Sequence, residues 1–457
     1  MAPKFGTSGL RGLVVELTSE LVADYVRAFV AACDHGGVLC VGQDLRSSSS
    51  RIASDIISAA RCEGLRVIDC GALPTPALAL AAQEVGASAI MVTGSHIPAD
   101  RNGLKFYVRK GEITKADEVA ISAALGRSPG TEKGALELDY KASTRFIARY
   151  VNAFGRGALS GKRIGLYAHS AVGRDDLRAV LEGLGADVVE LGRSDTFVPV
   201  DTEAVDPETR ARIRAWVTEH ELDALVSTDG DSDRPLLADE TGTVVPGDIL
   251  GQITAEELGA EAIVTPISSN SGVNLKGFNT VVTTRIGSPY VISAMEVTGG
   301  KVVGYEANGG FLLGFVANMA AGQVAPLKTR DFMLPIIAVL VAAGTGTVSQ
   351  RLAKEPAVVT MADLLRETPQ EASRIFISQL HEPAARADFL ARLGASERAC
   401  DLTDGVRMAL RDGRTLHVRP SGNAPELRVY VEASDKAGGV ALMEAALAEL
   451  ESVRSFV

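Results

Sequence analysis

Three aspartates at alternating positions form the strongest chemical signal in the chain. The segment DGDSDR carries Asp229, Asp231 and Asp233 directly after the apolar run ALVST. So much negative charge in a short segment is costly unless a cation neutralises it. A solvated acidic turn is the simpler alternative, but such turns rarely alternate so strictly. The pattern therefore predicts a divalent metal site.

Calcium and Mg²⁺ are the two candidate ions. Counted from Asp229, Glu240 would be the last residue of an EF-hand loop, but Arg234 stands where the sharp turn requires glycine. The flanking segments ALVSTD and PLLADETGTVV have the pattern of strands, with a turn at Thr241 and Gly242, whereas an EF-hand loop lies between helices. Mg²⁺ held by carboxylates and a phosphate oxygen fits this context better.

A serine follows a second apolar run. TGSHIPADRNGLK comes directly after AIMV, so Ser95 should lie on a loop at the carboxyl end of a strand, where ligands bind in parallel α/β sheets. A serine that only caps the next turn is one alternative. A hydrolase nucleophile is another, but the GxSxG elbow is absent, and the adjacent His96 does not by itself supply an aligned base and an orienting carboxylate. Position favours a functional serine.

Two further segments have the composition of anion-binding loops. FGTSGLRG, from Phe5, spaces its glycines so that backbone amides and Arg11 could line an anionic site. RPSGNAPELR surrounds a glycine-containing turn with hydroxyl, amide and guanidinium groups that suit phosphate, although an ordinary polar hairpin is the alternative. Its candidate residues are Arg419, Ser421, Gly422, Asn423 and Arg428.

Repeated helix–strand units must position these residues. RIASDIISAARC has apolar residues at helical spacing and leads through Gly64 to the short apolar segment RVIDCG. DDLRAVLEG leads through Gly185 to DVVELG in the same way, and FNTVVTTRIGSPYVISAM is a weaker third copy. The copies lie roughly 100 residues apart, which is the scale of domains and not of solenoid repeats. Alternating strands and helices predict right-handed βαβ units and mainly parallel sheets.

The chain beyond Pro356 has a different pattern. LTDGVRMALRDGRTLHVRPSGNAPELRVYVEAS alternates apolar and polar residues around a DG turn and precedes a helix, GVALMEAALAELESV. We therefore predict an α/β fold class, with three related α/β domains of mixed, mainly parallel sheets at 1–150, 151–246 and 247–356. A smaller C-terminal α+β domain is expected at 357–457.

Composition limits the kind of partner. Of the 457 residues, 46% are hydrophobic and 23% are charged, which is ordinary for a globular protein. The net charge of −11 disfavours nucleic acid and anionic membranes, because both need clustered positive charge. A small-molecule partner is therefore expected.

Cysteine usage and hydropathy bear on location. Five cysteines without a CxxC pair favour a reducing cytoplasm, and MAPKFGTSGLRG has no apolar run typical of a signal peptide. The most apolar stretch, FMLPIIAVLVAAGTG, is interrupted by Pro335 and Gly344 and predicts a buried helix and not a membrane span.

Taken in this order, the segments resemble the α-D-phosphohexomutase family, which includes phosphomannomutases, phosphoglucomutases and phosphoglucosamine mutases. TGSHIPADRNGLK is similar to the family's phosphoserine loop and DGDSDR to its metal loop. GYEANGG, from Gly304, is similar to its sugar-binding loop, and RPSGNAPELR to its phosphate-binding loop. The resemblance covers the whole chain and implies four domains around a central cleft.

The resemblance also implies roles for single residues. Ser95 would carry a phosphate, and this phosphate would bind Mg²⁺ together with the three aspartates. Arg11 and Lys105 match positions linked to proton transfer and phosphate contact, and a catalytic role is also expected for His96. The expected substrate-binding residues are Arg234, Arg285, Glu306, Asn308 and Gly309, and the C-terminal loop residues would hold a second phosphate.

The implied activity is a mutase that interconverts hexose 6-phosphate and hexose 1-phosphate through a bound hexose 1,6-bisphosphate. A phosphorylated serine splits one difficult transfer into two simpler ones. Bacterial phosphomannomutases match the complete set of segments best. The EANGG loop departs from the GExSGH loop of many mannose and glucose enzymes, so phosphoglucomutase, phosphoglucosamine mutase and N-acetylglucosamine-phosphate mutase stay open.

Two alternatives belong to other classes. A Mg²⁺-dependent sugar-phosphate phosphatase would result if water reached the phosphoserine. A sugar-phosphate-binding protein that retains the fold without turnover is the non-enzymatic alternative. In every case the expected partner is a small sugar phosphate, and the chain is expected to be a monomer or a homodimer.

Overall fold

A computed structural model describes residues 3–6, 9–421 and 425–455. The chain divides into two compact units. The first unit comprises the residues up to Glu261 together with Met295–Lys354, and the second comprises Ala262–Ala294 and the residues from Glu355 onward.

The first α/β segment builds a mixed sheet in the order β1-β2-β6-β5-β3-β4-β8. Strand β3 runs parallel to β4 and β5, whereas β6 is antiparallel to β5 and β2. The helix and strand predicted on either side of Gly64 are confirmed as α2 and β4. The elements are β1 (Lys4–Phe5), β2 (Leu10–Leu13), α1 (Ser19–Ala32), β3 (Val38–Gln43), α2 (Ser49–Cys62), β4 (Arg66–Ala72), α3 (Thr75–Glu84), β5 (Ser88–Val92), β6 (Arg101–Val108), β7 (Gly111–Glu112), α4 (Lys115–Ala123), β8 (Leu136–Leu138) and α5 (Ala142–Phe154).

The second α/β segment repeats this plan with a sheet in the order β10-β9-β11-β12. Strand β9 is parallel to β10 and β11, and β12 returns antiparallel to β11. The predicted turn at Gly185 adopts a φ of +94°, which glycine tolerates, and connects a helix to a strand as expected. The elements are β9 (Arg163–Tyr167), α6 (Arg174–Gly183), β10 (Asp187–Leu191), α7 (Pro207–Glu219), β11 (Ala224–Thr228), β12 (Pro235–Asp239) and α8 (Gly247–Glu257).

The next part of the chain contributes to both units. In the second unit β13 pairs parallel with β14, and in the first unit β16 pairs antiparallel with β15 and β19. The elements are β13 (Ala262–Pro266), a 3₁₀ helix (Ser271–Leu275), β14 (Thr280–Thr284), α9 (Ser288–Thr298), β15 (Val302–Tyr305), β16 (Phe311–Leu313), β17 (Ala317–Asn318), β18 (Gln323–Val324), β19 (Leu327–Asp331), α10 (Met333–Ala343) and α11 (Val348–Leu352).

Helix α10 is the buried helix predicted from the most apolar stretch. Its residues from Met333 to Leu340 are all buried. Pro335 is tolerated because it lies in the first turn, where the backbone N–H groups have no partner within the helix. Within 3–6, 9–421 and 425–455, no helix combines the length and the apolar character needed to cross a bilayer.

The C-terminal part forms an antiparallel sheet in the order β20-β24-β23-β22-β21. The alternating strands and the final helix predicted there are confirmed, as is the mixed α/β fold class. The division into four domains stays a prediction. The elements are β20 (Val359–Leu365), α12 (Gln370–Gln379), α13 (Pro383–Arg392), β21 (Glu397–Asp401), β22 (Val406–Leu410), β23 (Thr415–Pro420), β24 (Leu427–Ala433), α14 (Lys436–Leu450) and a 3₁₀ helix (Glu451–Ser455).

Candidate active site

Ser95 lies in the loop that leaves the carboxyl end of β5. The residue is buried, at 3% exposure, and its φ of +54° places it in the left-handed region, which is uncommon for serine. The Thr93 hydroxyl accepts a hydrogen bond from the Ser95 N–H at 2.7 Å. The Ser95 backbone is therefore constrained in an uncommon conformation, which is typical of functional sites.

The buried guanidinium of Arg46 anchors this loop. Arg46 pairs with Asp44 at 3.2 Å, and the Phe197 ring packs 3.8 Å from its guanidinium carbon. Its other contacts are backbone carbonyl oxygens, those of Ser95 at 2.9 Å, Ile97 at 2.5 Å, Pro98 at 2.8 Å and Arg101 at 3.0 Å. Sequence reasoning missed Arg46. Its position just after β3, a strand parallel to β5, was the available signal, because parallel strands end at the same sheet edge.

Removing this anchor should destabilise the first unit. We expect Arg46→Ala to lower the free energy of unfolding by about 3–5 kcal/mol, because it leaves the buried Asp44 carboxylate and several carbonyl oxygens unpaired. Urea unfolding followed by circular dichroism measures this change. Arg51→Ala is the control, since Arg51 is a half-exposed arginine whose pair with Asp55 lies on the surface of α2. An equal decrease in the free energy of unfolding in Arg46→Ala and Arg51→Ala would contradict the anchoring role.

The predicted metal loop, residues 229–234, connects β11 to β12 and packs directly on the serine loop, residues 93–100. Its turn is closed by hydrogen bonds from Asp229 N to Arg234 O and from Ser232 N to Asp229 O, both 3.2 Å long. A Cβ at Gly230 would lie 2.6 Å from the Ser95 carbonyl oxygen. Only glycine therefore permits the close approach of the two loops.

The three aspartates form a buried cluster whose ligand atoms lie within 4.8 Å of one another. Lys105 Nζ, on β6, lies 2.6 Å from Asp231 Oδ2 and 2.5 Å from Asp233 Oδ2, and the Thr75 hydroxyl donates to Asp231 Oδ2 at 2.6 Å. The Oδ1 atoms of Asp231 and Asp233 are buried without a hydrogen-bond partner among the residues that the structure describes, whereas Asp229 Oδ1 accepts from the Asp233 and Arg234 N–H groups. Buried unpaired carboxylate oxygens close to one another fit a hard divalent cation such as Mg²⁺.

Ser95 is part of this cluster. Its hydroxyl donates to Asp229 Oδ2 at 2.6 Å and lies 3.3 Å from His96 Nδ1. The same nitrogen of His96 lies 3.2 Å from Arg234 Nη1, and its Nε2 is 3.9 Å from Asp201 Oδ2. That last distance exceeds a hydrogen bond, so these three residues do not form an aligned Ser-His-Asp triad. The geometry favours a serine that acts beside a metal.

Burial and mutual repulsion shift the pKa values in the cluster. Burial, together with the charges of Asp231 and Asp233, raises the pKa of Asp229 to about 8. Burial opposes ionisation of Asp231 as well, but Lys105 outweighs it, and the pKa of Asp231 is lowered. Burial and the nearby Arg234 lower the pKa of His96 to about 4, so its imidazole is neutral at physiological pH.

Metal binding should therefore depend on pH. A carboxyl with a pKa of about 8 holds its proton at neutral pH in the metal-free protein, and a metal ligand must be deprotonated. We expect the Mn²⁺ association constant to rise about tenfold per pH unit below that value and to level off above it. Electron paramagnetic resonance of free Mn²⁺, titrated from pH 6 to 9, measures this dependence. A constant affinity across this range would contradict a proton on Asp229.

Arg11 and Arg234 add positive charge around the cluster. The partly buried Arg11 guanidinium donates to the Thr93 carbonyl oxygen, and desolvation lowers its pKa. A Cβ at Gly103 would lie 2.7 Å from Arg11 Cδ, so glycine makes room for this side chain. Arg234 Nε lies 3.7 Å from Asp233 Oδ1. Both arginines are placed to attract an anionic group.

The predicted sugar-binding loop connects β15 to β16 in the same unit. Glu306 N donates to Gly310 O at 3.1 Å and Gly309 N donates to Glu306 O at 2.9 Å, which closes a tight turn. Asn308 Oδ1 accepts from Gly310 N at 3.0 Å. Gly309 has a φ of +85°, and a Cβ there would lie 2.7 Å from the Pro235 side chain. The loop therefore packs against the end of the metal loop.

Arg330, at the end of β19, joins the two loops. Its side chain is buried, lies 2.9 Å from Asp233 Oδ2 and reaches Glu306 Oε2 at 3.4 Å. Sequence reasoning missed this residue, which has no local motif to distinguish it.

The remaining predicted residues belong to the second unit. Asp404 connects two of its segments, because its carboxylate accepts from Ile286 N at 3.0 Å and lies 3.4 Å from Arg419 Nε. Arg285 Nε donates to Thr403 O at 3.2 Å. Arg419 and Arg428 are opposite each other on β23 and β24, and Ser421 N bonds Glu426 O at 2.9 Å. Gly422 and Asn423 lie outside the described residues. The unit thus gathers several arginines near one turn.

Family models match three regions of the chain. Residues 2–129 match the phosphoglucomutase/phosphomannomutase alpha/beta/alpha domain I, residues 144–242 match domain II, and residues 378–449 match the C-terminal domain. A phosphomannomutase of Sinorhizobium fredii is 46% identical, with 99% of both chains covered. A phosphomannomutase of Salmonella muenchen is 40% identical over 98% of this chain and 95% of that one. A phosphoglucosamine mutase of Thermobifida fusca is 28% identical over 96% and 97%.

Solved structures show the same fold at low sequence identity. A phosphoglucomutase/phosphomannomutase family protein from Burkholderia thailandensis has a TM-score of 0.81 at 20% identity, covering 100% of this chain and 99% of that one. The parafusin phosphoprotein pp63 from Paramecium has a TM-score of 0.73 at 16% identity, covering 100% and 96%.

Proposed function

We propose that this chain, which belongs to the phosphoglucomutase/phosphomannomutase family, interconverts mannose 6-phosphate and mannose 1-phosphate through a phosphate carried on Ser95. The observation that carries the proposal is the Ser95 hydroxyl 2.6 Å from Asp229 Oδ2, in a cluster with two unpaired buried carboxylate oxygens. Mannose is the proposed sugar because the phosphomannomutase relatives are the most similar ones compared above.

Ser95 and the aspartates would divide the chemistry between them. Asp229, Asp231, Asp233 and a phosphate on Ser95 would hold Mg²⁺, as the clustered carboxylate oxygens support. Bound Mg²⁺ neutralises negative charge on a transferring phosphoryl group. Lys105 holds the Oδ2 atoms of Asp231 and Asp233, which would leave their Oδ1 atoms available to bind the ion.

Other charged residues would hold the substrate. We propose that Arg11, Arg234 and the neutral His96 line the phosphate that is transferred. His96 lies beside the Ser95 hydroxyl, Arg234 lies beside Asp233, and Arg11 donates to the Thr93 carbonyl of the serine loop. Glu306 and Asn308, with the backbone of Gly309, are proposed to bind sugar hydroxyls. These assignments rest on the loops that carry the residues and on their common unit.

A second phosphate-binding site distinguishes a mutase from a phosphatase. The 1,6-bisphosphate intermediate must turn around, so one site transfers a phosphate while another holds the idle one. We propose that Arg419, Ser421 and Arg428 hold the idle phosphate together with Gly422 and Asn423, and that Arg285 contributes from the neighbouring segment. The position of Arg419 beside Asp404 and that of Arg285 beside Thr403 support this role.

Coupled assays test the reaction and its substrate. Purified protein is supplied with Mg²⁺, a hexose 1,6-bisphosphate and the 1-phosphate of mannose, glucose, glucosamine or N-acetylglucosamine. We expect formation of the 6-phosphate to be fastest with mannose. Release of free phosphate faster than isomerisation would instead support a phosphatase, and tight binding without turnover would support a sugar-phosphate-binding protein.

The substituent at C2 distinguishes the candidate sugars. Glu306 and Asn308 are proposed to contact O3 and O4, which have the same configuration in glucose, mannose and glucosamine. Similarity to a phosphoglucosamine mutase and the EANGG sequence keep glucosamine as the second candidate. A higher kcat/KM with glucosamine 1-phosphate than with mannose 1-phosphate would overturn the choice of mannose.

We also propose a cytoplasmic location and a monomeric or homodimeric state. The odd number of cysteines and the small phosphorylated substrate support the location. Light scattering coupled to size-exclusion chromatography determines the oligomeric state.

A further inference from the structure

We propose that Arg330 is a positioning residue that orients a metal ligand and a sugar ligand at the same time. Its guanidinium would hold Asp233 so that one carboxylate oxygen is presented to the metal, and would hold the Glu306 carboxylate at the sugar-binding end. The sugar part of this role rests on the proposed mutase function.

The contacts divide the two oxygens of Asp233. Arg330 Nε and Nη2 lie 3.0 Å and 2.9 Å from Asp233 Oδ2, and Lys105 Nζ lies 2.5 Å from the same oxygen. Asp233 Oδ1 is buried and, within the described part of the chain, accepts no hydrogen bond. Two cations therefore fix Oδ2, and the carboxylate plane that they set leaves Oδ1 as the ligand atom. Metal-binding carboxylates are commonly held in this way by an outer layer of hydrogen bonds.

One guanidinium can serve both loops because its donors form a rigid planar fork. Nε and Nη2 engage Asp233, and Nη1 lies 3.4 Å from Glu306 Oε2. Arg330 is only 3% exposed, so both ion pairs lie where water screens them little. The position of Glu306 is thereby tied to the position of Asp233.

The backbone around Arg330 is also held firmly. The next residue, Asp331, uses Oδ1 to accept from Met333 N at 2.9 Å and Leu334 N at 3.2 Å, at the start of α10. Its Oδ2 accepts from the Tyr150 hydroxyl at 2.6 Å. The base of the Arg330 side chain is thus fixed to a buried helix, which is what a positioning group requires.

Gly310 makes room for the Arg330 side chain. A Cβ at this position would lie 2.6 Å from both Cγ and Cδ of Arg330. Gly310→Ala therefore forces the Arg330 side chain to shift but removes no charged group. This variant separates the position of the guanidinium from its charge.

Charge and position predict opposite effects on metal binding. If Arg330 acted only as a positive charge, Arg330→Gln would tighten divalent metal binding, because repulsion of the ion would fall. If it orients Asp233, the same variant should weaken metal binding, by about tenfold. Gly310→Ala should weaken it in the same direction, since the fork is displaced.

The experiment is an Mn²⁺ titration by electron paramagnetic resonance on wild type, Arg330→Gln and Gly310→Ala. Arg386→Gln is the matched control, because Arg386 is also buried and paired, 2.6 Å from Glu397 Oε2, but belongs to the second unit. We expect weaker Mn²⁺ binding in the two site variants and wild-type affinity in the control. A rise of about tenfold in KM for mannose 1-phosphate in Arg330→Gln is expected from the loosened Glu306.

An unchanged or higher Mn²⁺ affinity in Arg330→Gln would overturn the role. If that variant does not fold, Gly310→Ala decides, and wild-type affinity there overturns it. The titration needs no turnover, so it remains decisive even if the assays disprove the mutase function. If Arg330→Gln binds Mn²⁺ more weakly but keeps the wild-type KM, Arg330 orients Asp233 and does not orient Glu306.

Discussion

Ser95→Ala is expected to reduce mutase activity by at least about 1,000-fold, because the covalent phosphate carrier is lost while the rest of the site remains. The Ser95 hydroxyl is buried beside Asp229, and an alanine side chain at this position cannot carry a phosphate. The coupled assay with mannose 1-phosphate measures the loss. Intact-mass and peptide analysis should find one phosphate on Ser95 in wild type and none in the variant.

Ser88→Ala is the matched control for this experiment. Ser88 is a buried serine on β5, the strand that precedes the serine loop, and its hydroxyl donates to the Val38 carbonyl at 2.9 Å. We expect its activity to stay close to wild type, with at most a small loss of stability. Undiminished turnover in Ser95→Ala would refute the phosphoserine mechanism.

Asp231→Asn is expected to raise the Mg²⁺ concentration required for half-maximal activity by at least about 100-fold. The substitution keeps the shape of the side chain but removes a charge from a site where one carboxylate oxygen is buried and, among the described residues, unpaired. An amide also cannot accept at both positions, so the contacts to Lys105 and Thr75 compete with the ion. Activity measured across a Mg²⁺ series, together with Mn²⁺ titration, quantifies the shift.

Asp239→Asn provides the comparison for the metal experiment. Asp239 is a buried aspartate at the end of β12, close to the metal loop in sequence, and its Oδ1 accepts from Thr241 N and Thr243 N at 2.9 Å. We expect it to lose stability without a change in Mg²⁺ requirement. If Asp231→Asn and Asp239→Asn required the same Mg²⁺ concentration for half-maximal activity, the aspartate cluster would not be the site of the catalytic ion.

Local patterns predicted the loops of the site and most of the elements that carry them. Ser95 and the aspartates could be found because each follows a short apolar strand, and a strand's carboxyl end is a local feature of the sequence. The buried helix α10 was likewise visible from a continuous apolar run.

Residues that act across the fold could not be found in this way. Arg330 reaches Asp233 over 97 positions and Arg46 reaches the Ser95 carbonyl over 49. Arg330 lies within a strand and has no local motif, and the position of Arg46 just after a strand does not identify its partners. Their partners are set by how the sheets pack, which is a tertiary property. The same reason hid Thr75, whose hydroxyl meets Asp231.

The Arg46 anchor has a consequence for engineering the enzyme. Arg46 grips the serine loop through main-chain oxygens, which every amino acid possesses, and not through the loop's side chains. We therefore expect that the exposed residues Ala99 and Asp100 can be randomised while the backbone that carries Ser95 keeps its conformation. A combinatorial library at these two positions would explore new loop chemistry on an unchanged backbone.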